Sequence, residues 1–318
     1  MTQPKDSGFE AQPYYGICTF GRQPHTRDLT GADVAIVGVP YDGSTSYRSG
    51  TRFGPRAIRE QSLLLWGYNN ALDVAPFKAQ KVIDYGDVDV VPPDIAATHA
   101  AIEAEVSLLV KEGVKVITLG GDHSIALPLL RAHSHKYGRL AVIHFDAHPD
   151  TWDTEFGEQK YSHGTPFRRA IEEKLIDTSA YIQIGIRGPT SGKKDYEDAV
   201  ALGARMITID DAMRMGLGGI LGEVRSRVGN KPVYLSFDID SIDPAFAPGT
   251  GTPEVGGFSS YQILQLLRGF KGLNLVGGDL VEVSPPFDHS NITSILASNL
   301  VFEFLSLLAL NKQLAMNS

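Results

Sequence analysis

The 318-residue chain is 42% hydrophobic and 21% charged, with a net charge of −8 and a single cysteine, Cys18. That composition suits a globular protein able to bury a sizeable core, while the acidic balance argues against a nucleic-acid or anionic-membrane surface, both of which need basic patches. One cysteine excludes an internal disulfide framework and fits a reducing compartment.

The chain opens on MTQPKDSGFEAQPYYG, a polar stretch without the apolar core of a secretory signal. No apolar run is expected to reach the ~20 residues of a membrane span, so a soluble, cytoplasmic protein is the expectation. Short β-branched runs predict strands over 33–39, 81–87, 115–119, 140–145, 181–186, 205–209, 233–237 and 275–283. Several, such as VKVITL and RLAVIHF, are apolar throughout, the pattern of strands buried on both faces of a parallel sheet. Helical patterns fall between them at 95–112, 124–137 and 260–270, with glycine following two of them at Gly113 and Gly138. The segment 295–310 (ILASNLVFEFLSLLAL) is apolar nearly all round, which places it in the core or, second, at a subunit contact. The expected architecture is a single α/β domain over 1–318, with 1–30 as an N-terminal extension. Two loops rich in glycine and proline, 42–55 and 243–257, carry too many specific polar residues to be spacers.

Three polar motifs each follow a predicted buried strand, where open parallel sheets bind ligands. Gly120-Gly121-Asp122-His123-Ser124 offers a tight turn and a histidine. In Phe145-Asp146-Ala147-His148-Pro149-Asp150 the polar residues recur at every second position, which in extended backbone sends Asp146, His148 and Asp150 to one side. Ser236-Phe237-Asp238-Ile239-Asp240 repeats the spacing with two carboxylates. Ionised carboxylates buried without a partner are costly, and neither carboxylate motif contains a lysine or arginine. Two divalent cations would balance the four aspartates, with His123 and His148 as neutral nitrogen ligands. Oxygen and imidazole donors without thiolate suit Mn²⁺, with Ni²⁺, Fe²⁺, Co²⁺ or Zn²⁺ as alternatives.

GGDHS, FDAHPD and SFDIDSIDPAFAPGTGTPEVGG together resemble the signature blocks of the ureohydrolase family, the arginase and agmatinase group. The likeness extends to YRSGTRFGPRAIRE and DLVEVSPPFD and so covers most of the chain. The resemblance implies a three-layer α/β/α fold around a mostly parallel eight-stranded sheet, and two Mn²⁺ per chain. By the family's pattern His123, Asp146, Asp150 and Asp238 take one ion and Asp146, His148, Asp238 and Asp240 the other. Water activated between them attacks a guanidinium carbon, and urea and an amine are released. His163 matches the family's proton-shuttling histidine, Glu282 the glutamate that pairs with guanidinium, and Thr252 a threonine near the substrate. Asp122 is expected behind the ligands, orienting one of them. Family analogy also implies a homo-oligomer, a trimer or hexamer.

The choice of guanidine is less legible. Arginases resemble these motifs but continue Asp-x-Asn, whereas this chain reads Asp150-Thr151-Trp152, which disfavours arginine. Agmatine, cut to putrescine, is the first expectation because it is the commoner activity for this motif set. Its ammonium would favour Asp153 or Glu155. A guanidino acid, 4-guanidinobutyrate or 3-guanidinopropionate, would favour Arg48, Tyr47 or Tyr161, and guanidine itself is a further alternative. Trp152 and Tyr161 are candidates to line an apolar wall or stack on the guanidinium. Two rivals remain at this stage: a one-zinc amide hydrolase of similar fold, and a non-catalytic partner subunit.

Overall fold

The computed structural model describes residues 12–317. Residues 1–11, and with them most of the stretch read as lacking a signal, lie outside the described residues. Eight strands form one sheet: β1 (Val34–Val39), β2 (Val82–Asp87), β3 (Lys115–Gly120), β4 (Leu140–Phe145), β5 (Ile176–Ile186), β6 (Arg205–Thr208), β7 (Val233–Asp238) and β8 (Leu275–Val281). Their order is β2-β1-β3-β8-β7-β4-β5-β6. Every neighbouring pair is parallel, so the sheet is wholly rather than mostly parallel.

Helices α1 (Gly54–Ser62), α2 (Pro76–Ala79), α3 (Ile95–Lys111), α4 (Ala126–Tyr137), α5 (Pro166–Glu172), α6 (Lys193–Ala201), α7 (Ile209–Val228), α8 (Ser260–Arg268) and α9 (Ile292–Asn317) connect and cover the strands. Their starts follow local chemistry. Asp94 caps α3 by accepting from the Ala97 N–H at 3.0 Å, and Ser259 and Gln262 form a reciprocal capping box on α8. Successive strand residues face opposite ways. Val34 and Ile36 therefore enter the core shared with α1, α7, α8 and α9, while Ala35, Val37 and Val39 enter the one shared with α3, α4 and α5. The result is three layers.

The helix window Ile292–Ala315 is, against expectation, long and apolar enough to cross a membrane. It is 83% buried inside the fold, however, which is the place of a core helix. Its polar residues are satisfied internally: Glu303 accepts from Arg268 at 2.7 Å and from Asn69 at 3.0 Å. Of the segment 1–30, Phe20 is fully buried and its N–H donates to Asp84 at 2.7 Å.

For function, the decisive feature is that β3, β8, β7 and β4 lie side by side. The segments leaving their carboxyl ends carry His123, Glu282, Asp238 and Asp146, which sequence separates by up to 159 residues. Gly121 makes the turn after β3 feasible: at φ +56° it approaches so closely that a Cβ would lie 2.5 Å from the Val39 carbonyl oxygen.

Candidate active site

At that edge His123 Nδ1 faces three carboxylates, with Asp150 Oδ2 at 3.0 Å, Asp146 Oδ2 at 3.1 Å and Asp238 Oδ2 at 3.2 Å. The proton of this imidazole is elsewhere. Ser236 Oγ donates to Asp279 Oδ1 at 2.8 Å, so it must accept from His123 Nε2 at 2.9 Å. Nδ1 then presents a lone pair, and it is a buried nitrogen with no hydrogen bond. A lone pair and three carboxylate oxygens converging on one point inside a protein repel unless a cation lies among them. A divalent ion fits there.

A second cluster adjoins the first. His148 Nδ1 lies 3.1 Å from Asp240 Oδ2 and 3.5 Å from Asp146 Oδ1. Asp146 thus turns one oxygen toward each histidine. Donor atoms of Asp146, His148 and Asp240 lie within 4.8 Å of one another, as do those of His123, His144 and Asp146. Two clusters that share Asp146 form a binuclear metal site. Backbone amides hold the carboxylates in place: Asp146 Oδ1 accepts from the His148 N–H at 2.7 Å, Asp238 Oδ1 from Asp240 at 2.8 Å and Asp240 Oδ1 from Ala147 at 3.0 Å.

The protein's own charges describe the same deficit. Burial, with Asp240 and Asp146 nearby, pushes Asp238 well above the carboxylate range, and burial with Asp146 brings Asp150 to about 7. Burial opposes charge on His123, but its three aspartates outweigh it and raise this imidazole well above its usual value. The cluster draws in protons where it would hold cations.

His144 was not foreseen. Its Nε2 lies 2.7 Å from Asp146 Oδ2 and its Nδ1 3.1 Å from the Tyr181 hydroxyl, while its ring stacks on Phe167 at 3.9 Å. Burial lowers its pKa to about 4, so it is neutral and buttresses Asp146. The spacing of two that marked 146, 148 and 150 reaches back to 144, and that was the available signal. Arg187 also escaped notice. It ties down the loop after β7 by donating to the carbonyls of Glu254 at 2.6 Å and Asp240 at 2.7 Å.

Next to the clusters lies a cavity of about 90 Å³ lined by Trp152, Glu155, His163, Thr252 and Glu282. Thr252 Oγ1 is 3.4 Å from Asp240 Oδ2. Tyr161 is 41% exposed, packs edge-on against His99 with centroids 5.8 Å apart, and does not line this cavity. Glu282 is 1% exposed and sits at φ +63°, in the left-handed region that seldom hosts a glutamate. Its Oε1 accepts from the His123 N–H at 2.9 Å and faces His163 Nδ1 at 3.1 Å. Its Oε2 is buried with no partner. Burial lowers the His163 pKa, but the hydrogen bond and charge of Glu282, with Asp150 and Glu155, bring it to about 9. Dications on the neighbouring carboxylates act against that rise. A larger cleft, about 520 Å³, opens near Asp33, Lys115 and Lys312 and carries none of these groups.

Comparison with known proteins agrees with this geometry. The Arginase family profile matches residues 32–306. The chain is 46% identical over 304 residues to a guanidinobutyrase of Pseudomonas aeruginosa, covering 95% of each chain. It is 45% identical over 305 residues to a mitochondrial agmatinase of Gallus gallus, covering 96% of this chain and 89% of the relative. Its fold superimposes on the proclavaminate amidino hydrolase of Streptomyces clavuligerus with a TM-score of 0.91 at 44% identity, covering 95% of this chain and 100% of the other. The chain therefore belongs to the arginase family, in the agmatinase-like subgroup that includes guanidinobutyrase, and is a ureohydrolase that breaks a C–N bond of a linear amidine.

Proposed function

We propose that this ureohydrolase holds two Mn²⁺ and acts on a guanidino acid of the 4-guanidinobutyrate type, releasing urea and an amino acid. The observation that carries the guanidinium end is Glu282 Oε2, a buried carboxylate oxygen without a partner on the wall of the cavity. A planar guanidinium supplies the N–H groups that it lacks. His123 and Asp150 would hold one ion, His148 and Asp240 the other, and Asp146 and Asp238 both. Bound there, the two ions supply an activated water poised for attack on the guanidinium carbon. Hydrolysis would form a C–O bond from water to the guanidinium carbon and break the C–N bond to the amine, both protons of that water ending on the leaving nitrogen, which departs as an ammonium. The contact of His163 with Glu282 supports this histidine as the carrier of a proton to the leaving nitrogen.

The acid end rests on what each candidate side chain already does. Both carboxylates that could greet an ammonium are engaged: Asp153 with Arg169 at 2.6 Å, and Glu155 with the Ser162 hydroxyl at 2.5 Å and the Gly164 N–H at 3.1 Å. Arg48 has no carboxylate partner among the described residues. Its guanidinium lies between the rings of Phe287 at 4.8 Å and Tyr47 at 5.4 Å. Its carbonyl oxygen would lie 3.0 Å from a Cβ on Gly251, a position 3.6 Å from Glu282 Oε2. Arg48 lies two residues from Ser46, which lines the cavity, and a cation carried on that loop with an acceptor on the wall would suit the two ends of a guanidino acid. Agmatine is the second reading, favoured by Glu155 lining the cavity itself. A urea-release screen with 4-guanidinobutyrate, 3-guanidinopropionate, agmatine, arginine and guanidine under Mn²⁺ and Ni²⁺ decides. Turnover of agmatine above both acids, unchanged by Arg48→Met, would reverse the assignment.

The same reading takes the chain as one domain, cytoplasmic on the strength of its lone cysteine, and homo-oligomeric as a trimer or hexamer. Exposed Leu64 and Trp66 supply apolar surface for a partner copy.

A further inference from the structure

His163 is gripped from two sides. Glu282 holds Nδ1 from the sheet, and the loop after β1 holds everything else. The His163 N–H donates to the Ser44 carbonyl at 3.3 Å, the Ser46 N–H donates to Nε2 at 3.0 Å, and Ser46 Oγ lies 2.9 Å from the same nitrogen. That loop is pinned to the metal motif behind it. Fully buried Asp122 accepts from the Ser44 N–H at 2.9 Å through Oδ2, and from the Ser124 N–H at 3.0 Å through Oδ1. Asp42 Oδ2 accepts from the Gly50 N–H at 2.7 Å and Asp42 also pairs with Arg52, which closes the loop on itself.

A backbone amide can only donate. Directed at Nε2, the Ser46 N–H requires a lone pair there, so the neutral ring carries its proton on Nδ1, toward Glu282. When the ring becomes an imidazolium, Nε2 gains a proton that the amide repels, and the Ser46 hydroxyl reverses from donor to acceptor to receive it. Among the described residues no other side chain hydrogen-bonds to Nε2.

We propose that Ser46 is a positioning residue for His163, its amide fixing the tautomer of the resting imidazole and its hydroxyl stabilising the protonated ring when the shuttle is loaded. The inference rests on His163 as the proton carrier of the ureohydrolase reaction, and goes beyond it by assigning the control of that proton to a loop residue 117 positions away.

Two measurements on the intact chain test it. In Zn²⁺-loaded protein labelled with ¹⁵N-histidine, the neutral His163 ring is expected to show Nδ1 protonated and Nε2 bare, in wild type and in Ser46→Ala alike. With Mn²⁺, Ser46→Ala is expected to lower kcat roughly tenfold with KM changed less than about twofold, the cost of one hydrogen bond to a charged group made only during turnover. Ser46→Thr should restore most of it, and both variants should keep wild-type metal content. A neutral His163 protonated at Nε2, or a Ser46→Ala enzyme with wild-type kcat, overturns the proposal. Absence of urea from every guanidine with wild-type protein would instead strike the proposed reaction, while the tautomer would still be read from the spectrum.

Discussion

The backbone N–H of His123 donates to Glu282 Oε1 at 2.9 Å, which ties a candidate metal ligand directly to the carboxylate proposed to receive guanidinium. One oxygen of Glu282 is thereby held by the protein, and the other is buried with no hydrogen-bond partner among the described residues. That contact and the pairing of two adjacent strands, β3 and β8, fix where Glu282 stands relative to His123.

Glu282→Gln keeps the shape and removes the charge. Losing one partner of a buried charge pair costs about 3 kcal/mol, roughly a hundredfold in kcat/KM. Bound manganese, measured by atomic emission, should stay at the wild-type level. A variant within threefold of wild type would show that Glu282 does not pair with guanidinium.

Asp146→Ala and Asp238→Ala should lose metal and activity together, because each is proposed to serve both ions. His163→Ala should keep the metal and lose most turnover. Wild-type turnover in His163→Ala would remove it from the proton path.

His144→Phe preserves the stack on Phe167 but leaves Asp146 Oδ2 without its 2.7 Å support. Loss of such a supporting contact typically weakens metal affinity about 10–100-fold. Competitive titration against a chelator measures it, and unchanged affinity would make His144 a packing residue only.

Metal should stabilise the fold more at neutral than at acid pH. Asp150 has its pKa raised from 3.8 to about 7 in the folded chain. A raised carboxyl favours the metal-free fold fully below pH 4, and that contribution is lost as pH climbs through 7. Cations displace this proton, so their effect grows over the same window. His99, near 3, and His133, near 4, shift the baseline the opposite way. The quantity to compare is therefore the Tm with Mn²⁺ minus the Tm with EDTA, at pH 5 and pH 7.5. Equal differences at both would contradict the assignment.

All eight strands were legible because β-branched runs buried on both faces leave little alternative. Their ends were less so. β8 stops at Val281, not 283, because Glu282 leaves extended backbone at φ +63°. β5 begins at Ile176, five residues early, through a polar stretch that gives no apolar signal. Five of the six metal-binding candidates declared themselves by their spacing of two after apolar strands, although Asp150, at φ +48°, and Asp240, in a 3-10 turn, have left extended backbone; His123 rested on its place after β3 and on the family resemblance. His144 shared the spacing but sat inside an apolar run and read as core. Ser46 carried no signal at all, since its partner is 117 residues distant and its own loop is a string of small polar residues.

The four adjacent strands have a further consequence. The metal-binding candidates and Glu282 stand at the carboxyl ends of the central strands, whereas Arg48, Trp152 and Glu155, like Ser46 and His163, stand on excursions between strands and helices. Replacing the part of an excursion that carries neither Ser46 nor His163 should alter which molecule is admitted without disturbing how it is cut. Grafting the 151–162 segment from a relative of different preference, with Ser46 and His163 retained, should redirect this scaffold to another nitrogenous waste or nutrient while hydrolysis is kept.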